Sequence, residues 1–192
     1  MAQPGERKLQ ILQTLAQMLE APQAAKITTA GLAARLQVSE AALYRHFASK
    51  AQMYEGLIEF IEQTLFGLIN RIAAETPSGL DQARAVVQLL LAFAEKNRGM
   101  TRVLTGEVLV NENERLQVRV NQLHDRVEAS LKQSLRIAAT QGVAVADAGV
   151  ATNLILAWVQ GRWQQFVKSG FTRAPLHQWE TQWAMLARGL TA

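Results

Sequence analysis

The chain of 192 residues contains no cysteine, which removes disulfides, thiolate nucleophiles and cysteine-based zinc sites at once and suits a reducing compartment. Histidine is scarce, with three in the whole sequence. His124 and Glu128 stand at i and i+4, but two ligands with no third nearby in sequence read as a solvated helix pair, so no metal is expected. Phosphate-cradling glycine loops, HExxH and nucleophile elbows are missing too. Glu112 and Glu114 fall in the polar run NENER, which reads as a loop or helix start rather than an acid–base pair. Neither catalysis nor a cofactor is expected. The opening MAQPGERK lacks the apolar stretch of a signal peptide, and the longest apolar run, AVVQLLLAFA at 85–94, is far short of the roughly 20 residues that span a bilayer. A cytoplasmic protein without membrane contact is the expectation.

Hydrophobic residues make up 49% of the chain and charged ones 19%, the balance of a globular protein with a substantial core. The net charge of +4 favours a polyanionic partner. Periodicity gives helices almost throughout and no convincing strand. Leu9, Leu12, Leu15, Ala16 and Leu19 mark one face of a first helix, and Met53, Leu57, Phe60, Ile61, Leu65, Leu68 and Ile72 mark a longer one. Ser49 with Gln52 predicts a capping box at the start of the latter. Further helices are expected over about Leu80–Asn97, Met100–Val110, Leu116–Leu135, Asp147–Lys168 and Leu176–Leu190, broken by turn residues such as Thr76-Pro77-Ser78-Gly79. The fold class is all-α, with about nine helices and no repeats. Residues 1–50 are expected to form a small N-terminal domain and 51–192 a larger helical body.

The most informative segment is KITTAGLAARLQVSEAALYRHFASK, residues 26–50. Ala30, Leu32, Ala33 and Leu36 belong to a first short helix, in which the small Ala33 admits a close neighbour. Gln37, Val38 and Ser39 form a turn with Ser39 as N-cap. Glu40–His46 form a second helix anchored by Leu43 and Phe47. Its exposed face presents Glu40, Ala41, Tyr44, Arg45 and His46, and an α-helix fits the major groove of duplex DNA. Base reading falls to Glu40, Ala41 and Arg45, and backbone positioning to Tyr44 and His46. Thr28 and Thr29 at the preceding helix start suit phosphate oxygens, and Lys50 reaches the same strand. A plain helical hairpin is the alternative from spacing alone.

The string LAARLQVSEAALYRHFASK resembles the DNA-binding signature of the TetR family. It departs at Gln37, where glycine is common and a left-handed backbone costs about 1 kcal/mol without it. The resemblance implies a TetR-like architecture with an N-terminal helix-turn-helix unit and a helical body. It narrows through MYEGLIEFIEQTL and LLLAFAEKNRGMTRVLTGEVLVNENERLQVRVNQLHDRVE to the nucleoid occlusion branch of these proteins, over about Leu9 to Leu135. That branch implies a homodimer on palindromic chromosomal DNA, with adjacent dimers on one site. It also implies antagonism of the division GTPase FtsZ, whose C-terminal tail docks between the fourth and fifth helices. Matching positions here are Phe60, Leu89, Ala92, Lys96 and Asn97, and the location implied is cytoplasmic and nucleoid-associated. Two departures stand out: the basic N-terminal arm shrinks to Arg7 and Lys8, and Leu68 replaces an expected arginine, with Arg71 one turn away.

Towards the C-terminus, Leu154, Trp158, Gly161 and Gln165 form one stripe, and Leu176, Trp179, Trp183, Leu186 and Leu190 another. Two such helices meeting their symmetry mates would give a four-helix dimer interface, as the TetR resemblance implies. The two reading helices would then lie about 34 Å apart. Two other readings stay open. In a ligand-responsive repressor, Phe66, Phe93, Leu109 and Trp158 would line a small-molecule cavity. In a helical adaptor, the chain would bind protein alone.

Overall fold

The computed structural model describes residues 4–21 and 27–190. Lys26, which opens the motif above, lies outside them. The described residues form nine α-helices, one 3₁₀ turn and no strand: α1 (Pro4–Leu19), α2 (Thr29–Arg35), α3 (Glu40–Tyr44), α4 (Lys50–Glu75), α5 (Gly79–Lys96), α6 (Arg98–Leu104), the 3₁₀ turn Glu107–Leu109, α7 (Glu114–Thr140), α8 (Ala148–Lys168) and α9 (Trp179–Leu190). The helix expected over Met100–Val110 is instead α6 plus the 3₁₀ turn, because Gly106 takes a left-handed φ of 74° between them. Leu176 sits in the turn before α9 rather than in it.

The chain divides into two compact units, Met1–Ile61 with Asn97–Val120, and Glu62–Lys96 with Asn121–Ala192. The division expected at residue 50 is therefore drawn differently in space, since the DNA-reading segment shares a core with α6 and the start of α7. In the first unit Ile11, Leu15, Leu19, Leu43, Met53 and Leu57 are buried. Leu9, expected in that core, is 41% exposed, and Ile11 takes the inward position instead. α6 meets α1 backbone to backbone. A Cβ on Gly99 would stand 1.9 Å from the Ala16 carbonyl oxygen, so no side chain fits there.

Arg102 fastens the same junction. It is 7% exposed, and its Nη1 donates to the carbonyls of Leu19 at 3.1 Å and Ala21 at 2.7 Å, closing the end of α1. Its Nε and Nη2 donate to the two carboxylate oxygens of Glu107 at 3.0 and 2.9 Å. A planar guanidinium satisfies both partners at once because its donors are fixed in a fork. The capping box at α4 is modified: Ser49 Oγ accepts from the Gln52 N–H as expected, but Gln52 Oε1 accepts from the N–H of Ala48 rather than that of Ser49.

The second unit packs α5, the rest of α7, α8 and α9 around Val87, Leu90, Leu91, Leu131, Ile155 and Trp163. The Trp163 indole N–H donates to the Leu90 carbonyl at 3.2 Å, so this large side chain is buried without an orphaned donor. A Cβ on Gly79 would lie 2.3 Å from the Ala138 nitrogen, and the start of α5 touches α7 through backbone. Phe66 is buried beneath Arg126, whose guanidinium carbon is 3.8 Å from the ring centroid. Leu68, placed on the buried stripe by periodicity, is 36% exposed, while Ile69 is buried. Among the described residues no helix is long and apolar enough to cross a membrane.

Candidate nucleic-acid interface

Each boundary of the reading segment has a local cause. Thr28 caps α2, its Oγ1 accepting from the Gly31 N–H at 3.1 Å. The helix ends at Leu36, and the residue after this cap is left-handed. Gln37 has φ 56°, its N–H donates to the Ala34 carbonyl, and the Val38 N–H donates to that of Ala33 at 3.0 Å. Those paired bonds hold the strained backbone expected at Gln37 even though no glycine is present. Ser39 then caps α3, its Oγ accepting from the Ala42 N–H at 3.2 Å. α3 is shorter than expected, ending at Tyr44 with Arg45 as C-cap. His46 and Phe47 follow in a tight turn, both N–H groups donating to the Leu43 carbonyl. Leu43 at 1% and Phe47 at 9% exposure anchor the segment.

The outward face carries Glu40, Ala41, Tyr44 and Arg45, all exposed, whereas His46 is half-buried. Three of the expected DNA contacts join in one hydroxyl chain. Thr29 Oγ1 donates to Glu40 Oε2 at 2.6 Å, and the Tyr44 hydroxyl approaches Thr29 Oγ1 at 3.4 Å. A hydroxyl can turn its proton to a phosphate oxygen, so Thr29 and Tyr44 are positioned in advance beside the first turn of α3. Lys8 on α1 adds a cation 5.8 Å from the Phe47 ring centroid.

Lys50 differs from the expectation of a free phosphate contact. Its ammonium is ion-paired with Glu112 and lies 5.7 Å from the Tyr54 ring centroid. Burial, reinforced by the Glu112 charge, pushes the Tyr54 hydroxyl well above its ordinary pKa, so it stays protonated. The sequence gives no sign of the Lys50–Glu112 pair, since 62 residues separate the two and NENER reads as a solvated loop.

The positions assigned to a partner groove fall on separate elements. Leu89, Ala92 and Lys96 share one face of α5 at i, i+3 and i+7, the first two half-buried and Lys96 exposed. Phe60 on α4 is half-buried and belongs to the first unit, as does Asn97, the N-cap residue of α6.

At the C-terminal pair the structure corrects the apolar stripes. Trp179, Trp183 and Leu190 are 4%, 7% and 3% exposed and belong to the core of the chain itself. The Trp158 and Trp179 rings stand 6.1 Å apart, and those of Trp179 and Trp183 5.4 Å apart. The outward apolar residues are Val150 (71%) and Leu154 (50%) on α8 and Met185 (60%) on α9, with Leu186 and Trp158 half-buried. Gly161 opens on free space on α8.

His124 is a packing residue. Its Nδ1 lies 3.2 Å from Gln160 Nε2, and its ring is 5.9 Å from that of Trp163. Burial lowers its pKa, partly opposed by Asp125. Among the described residues, no three histidines or carboxylates gather as metal ligands would.

Comparison with known proteins agrees with this geometry. Residues 11–57 match the family "Bacterial regulatory proteins, tetR family", and residues 78–191 match the SlmA-like family "Tetracyclin repressor-like, C-terminal domain". The chain is 50% identical over 189 residues to the nucleoid occlusion factor SlmA of Marinomonas sp. (strain MWYL1), covering 97% of this chain and 95% of that one. It is also 50% identical over 185 residues to the nucleoid occlusion factor SlmA of Vibrio cholerae serotype O1, covering 94% of each. In fold it is similar to a TetR transcription regulator from Haloarcula marismortui, with a TM-score of 0.83 at 17% identity over 98% of this chain and 100% of that one.

Proposed function

The chain belongs to the SlmA family of TetR-like regulators, and on that premise we propose that it is a DNA-binding nucleoid occlusion factor that blocks cell division where chromosome is present. This is a family of regulators and not of enzymes. The observation that carries the DNA-binding half is the reading segment itself. Two capped helices hold Glu40, Ala41, Tyr44 and Arg45 outward, and the hydroxyls of Thr29 and Tyr44 meet beside Glu40. Side chains at the N-terminal turn of such a helix meet base edges, and flanking hydroxyls and cations meet phosphates.

A homodimer formed through the exposed residues of α8 and α9 would present two reading heads to a palindromic site, and adjacent dimers would load on one site. DNA-bound protein would then take the C-terminal tail of FtsZ, using Leu89, Ala92 and Lys96 on one face of α5. Apolar residues at i and i+3 suit a peptide's side chains, and Lys96 suits its carboxylates. The protein would act at the nucleoid.

The test is binding of a labelled FtsZ-tail peptide to the dimer, with and without a palindromic duplex selected from a random pool, in wild-type and Lys96→Glu forms. Saturable, DNA-stimulated binding lost in the variant is expected. Duplex binding without peptide binding under any condition would leave a ligand-responsive repressor, and failure to bind any duplex would leave an adaptor.

A further inference from the structure

Lys50 stands at the first position of α4, directly after the reading segment. A cation there is opposed by the helix dipole, which favours negative charge at an N-terminus. The capping role is already filled by Ser49, with Gln52 reaching Ala48. Helix stability therefore does not explain the lysine. What offsets its charge is the carboxylate of Glu112, brought from the connection between the 3₁₀ turn and α7. The two side chains are 24% and 17% exposed, so the pair is partly shielded but open at one side. Glu112 belongs to a short connection anchored on one side by the Arg102–Glu107 pair and on the other by the Arg115–Glu55 pair. Its N–H donates to the Leu109 carbonyl, the Leu109 N–H donates to that of Gly106, and the Arg115 N–H donates to Asn113 Oδ1.

We propose that Glu112 is a positioning residue that stands in for a DNA phosphate, holding Lys50 in the free protein and yielding it to the phosphate strand when a duplex binds. The inference rests on the DNA-binding reading above. A duplex phosphate carries the same charge as the carboxylate and sits in a dense array of like charges, so it outcompetes a single carboxylate near the surface at moderate salt. Once Lys50 has turned to DNA, Glu112 has lost its partner beside the buried Tyr54 and the exposed Glu107. The stretch from Leu109 to Asn113, beyond the Arg102–Glu107 pair, then relaxes. DNA occupancy thereby changes the segment that joins α6 to α7, without any contact between that segment and a base.

The full-length chain is titrated by fluorescence anisotropy with a duplex selected from a random pool and with a scrambled duplex of equal length, at salt from about 50 to 200 mM. Lys50→Gln is expected to weaken binding to both duplexes and to reduce the slope of log affinity against log salt by about 1, the signature of one lost phosphate contact. Glu112→Gln is expected to bind about fivefold more tightly, the upper range for releasing a partly exposed ion pair. Glu112→Asp, which keeps the charge, should return affinity towards wild type, and in the Lys50→Gln background Glu112→Gln should change nothing. The wild type needs no substitution to report on the segment: with duplex bound, the amides of Leu109 and Glu112 should exchange faster with deuterium.

An unchanged salt slope in Lys50→Gln, weaker or equal binding by Glu112→Gln, or unaltered amide exchange would each overturn the exchange while leaving DNA binding intact. Failure of the wild type to bind either duplex would overturn both this inference and the function on which it rests.

Discussion

Replacing Arg102 with methionine should destabilise the protein by about 3 to 5 kcal/mol. Methionine keeps much of the aliphatic volume, so the loss isolates the polar work of the guanidinium. Two of its four hydrogen bonds close the carbonyls of Leu19 and Ala21, and bonds from a charged donor contribute about 1.5–3 kcal/mol each. The bonds to Glu107 count for less, because that carboxylate is 43% exposed and regains water when released. For a chain of this length, about 3 to 5 kcal/mol corresponds to a fall in Tm on the order of 10 °C. Urea titration followed by far-ultraviolet circular dichroism measures the difference, and Glu107→Gln is the control, expected to cost under about 1 kcal/mol. If Arg102→Met unfolds at the wild-type urea midpoint, or Glu107→Gln costs as much as Arg102→Met, the reasoning that the carbonyl bonds dominate is refuted.

Gln37→Gly should raise stability by about 0.5–1 kcal/mol, since φ 56° strains a residue with a Cβ and the two C-cap bonds survive the change; a lower urea midpoint would show that the glutamine side chain contributes more than the strain. Burial holds the folded-state pKa of His124 below its ordinary 6.5, so below that pH the unfolded chain binds more protons. His124 therefore leaves stability intact above pH 6.5 and erodes it as pH falls from there towards the folded pKa. Urea midpoints between about pH 5 and 8 should show this erosion, and His124→Leu should flatten it. Leu154→Glu, at a half-exposed position on α8, should raise the dimer dissociation constant at least about tenfold by placing a charge in an apolar interface; sedimentation that still reports a tight dimer would move the interface elsewhere.

Most of the helical order is legible from periodicity and caps, because each signal is local. Thr28, Ser39, Ser49 and Asp147 all cap helices by side-chain oxygens, and their residue types announce it. The face of a helix is harder to read where apolar residues surround it. Leu9 and Ile11 compete for the inward position of α1, as do Leu68 and Ile69 on α4, and only the packed neighbours decide which is buried. Tryptophans on α9 looked outward because a stripe at helical spacing is the same whether it meets a second chain or the chain's own α8. At the reading head, the exposed residues of α3 follow from the motif, but Glu112 at Lys50 and Arg102 at the end of α1 do not. These pairs span 62 and more than 80 residues, and long-range partners leave no trace in local spacing.

The first unit is assembled from two stretches of chain, Met1–Ile61 and Asn97–Val120, with Glu62–Lys96 made in between. During synthesis the reading segment emerges early, yet Arg102 and Gly99, which join α6 to α1, come later. At ~5–20 residues per second, residue 120 follows residue 61 by several seconds. The head of the molecule thus waits, unfinished, while the ribosome makes α5. A nascent chain cut short inside that interval carries every residue of the motif and lacks Gly99 and Arg102, the partners that close the end of α1.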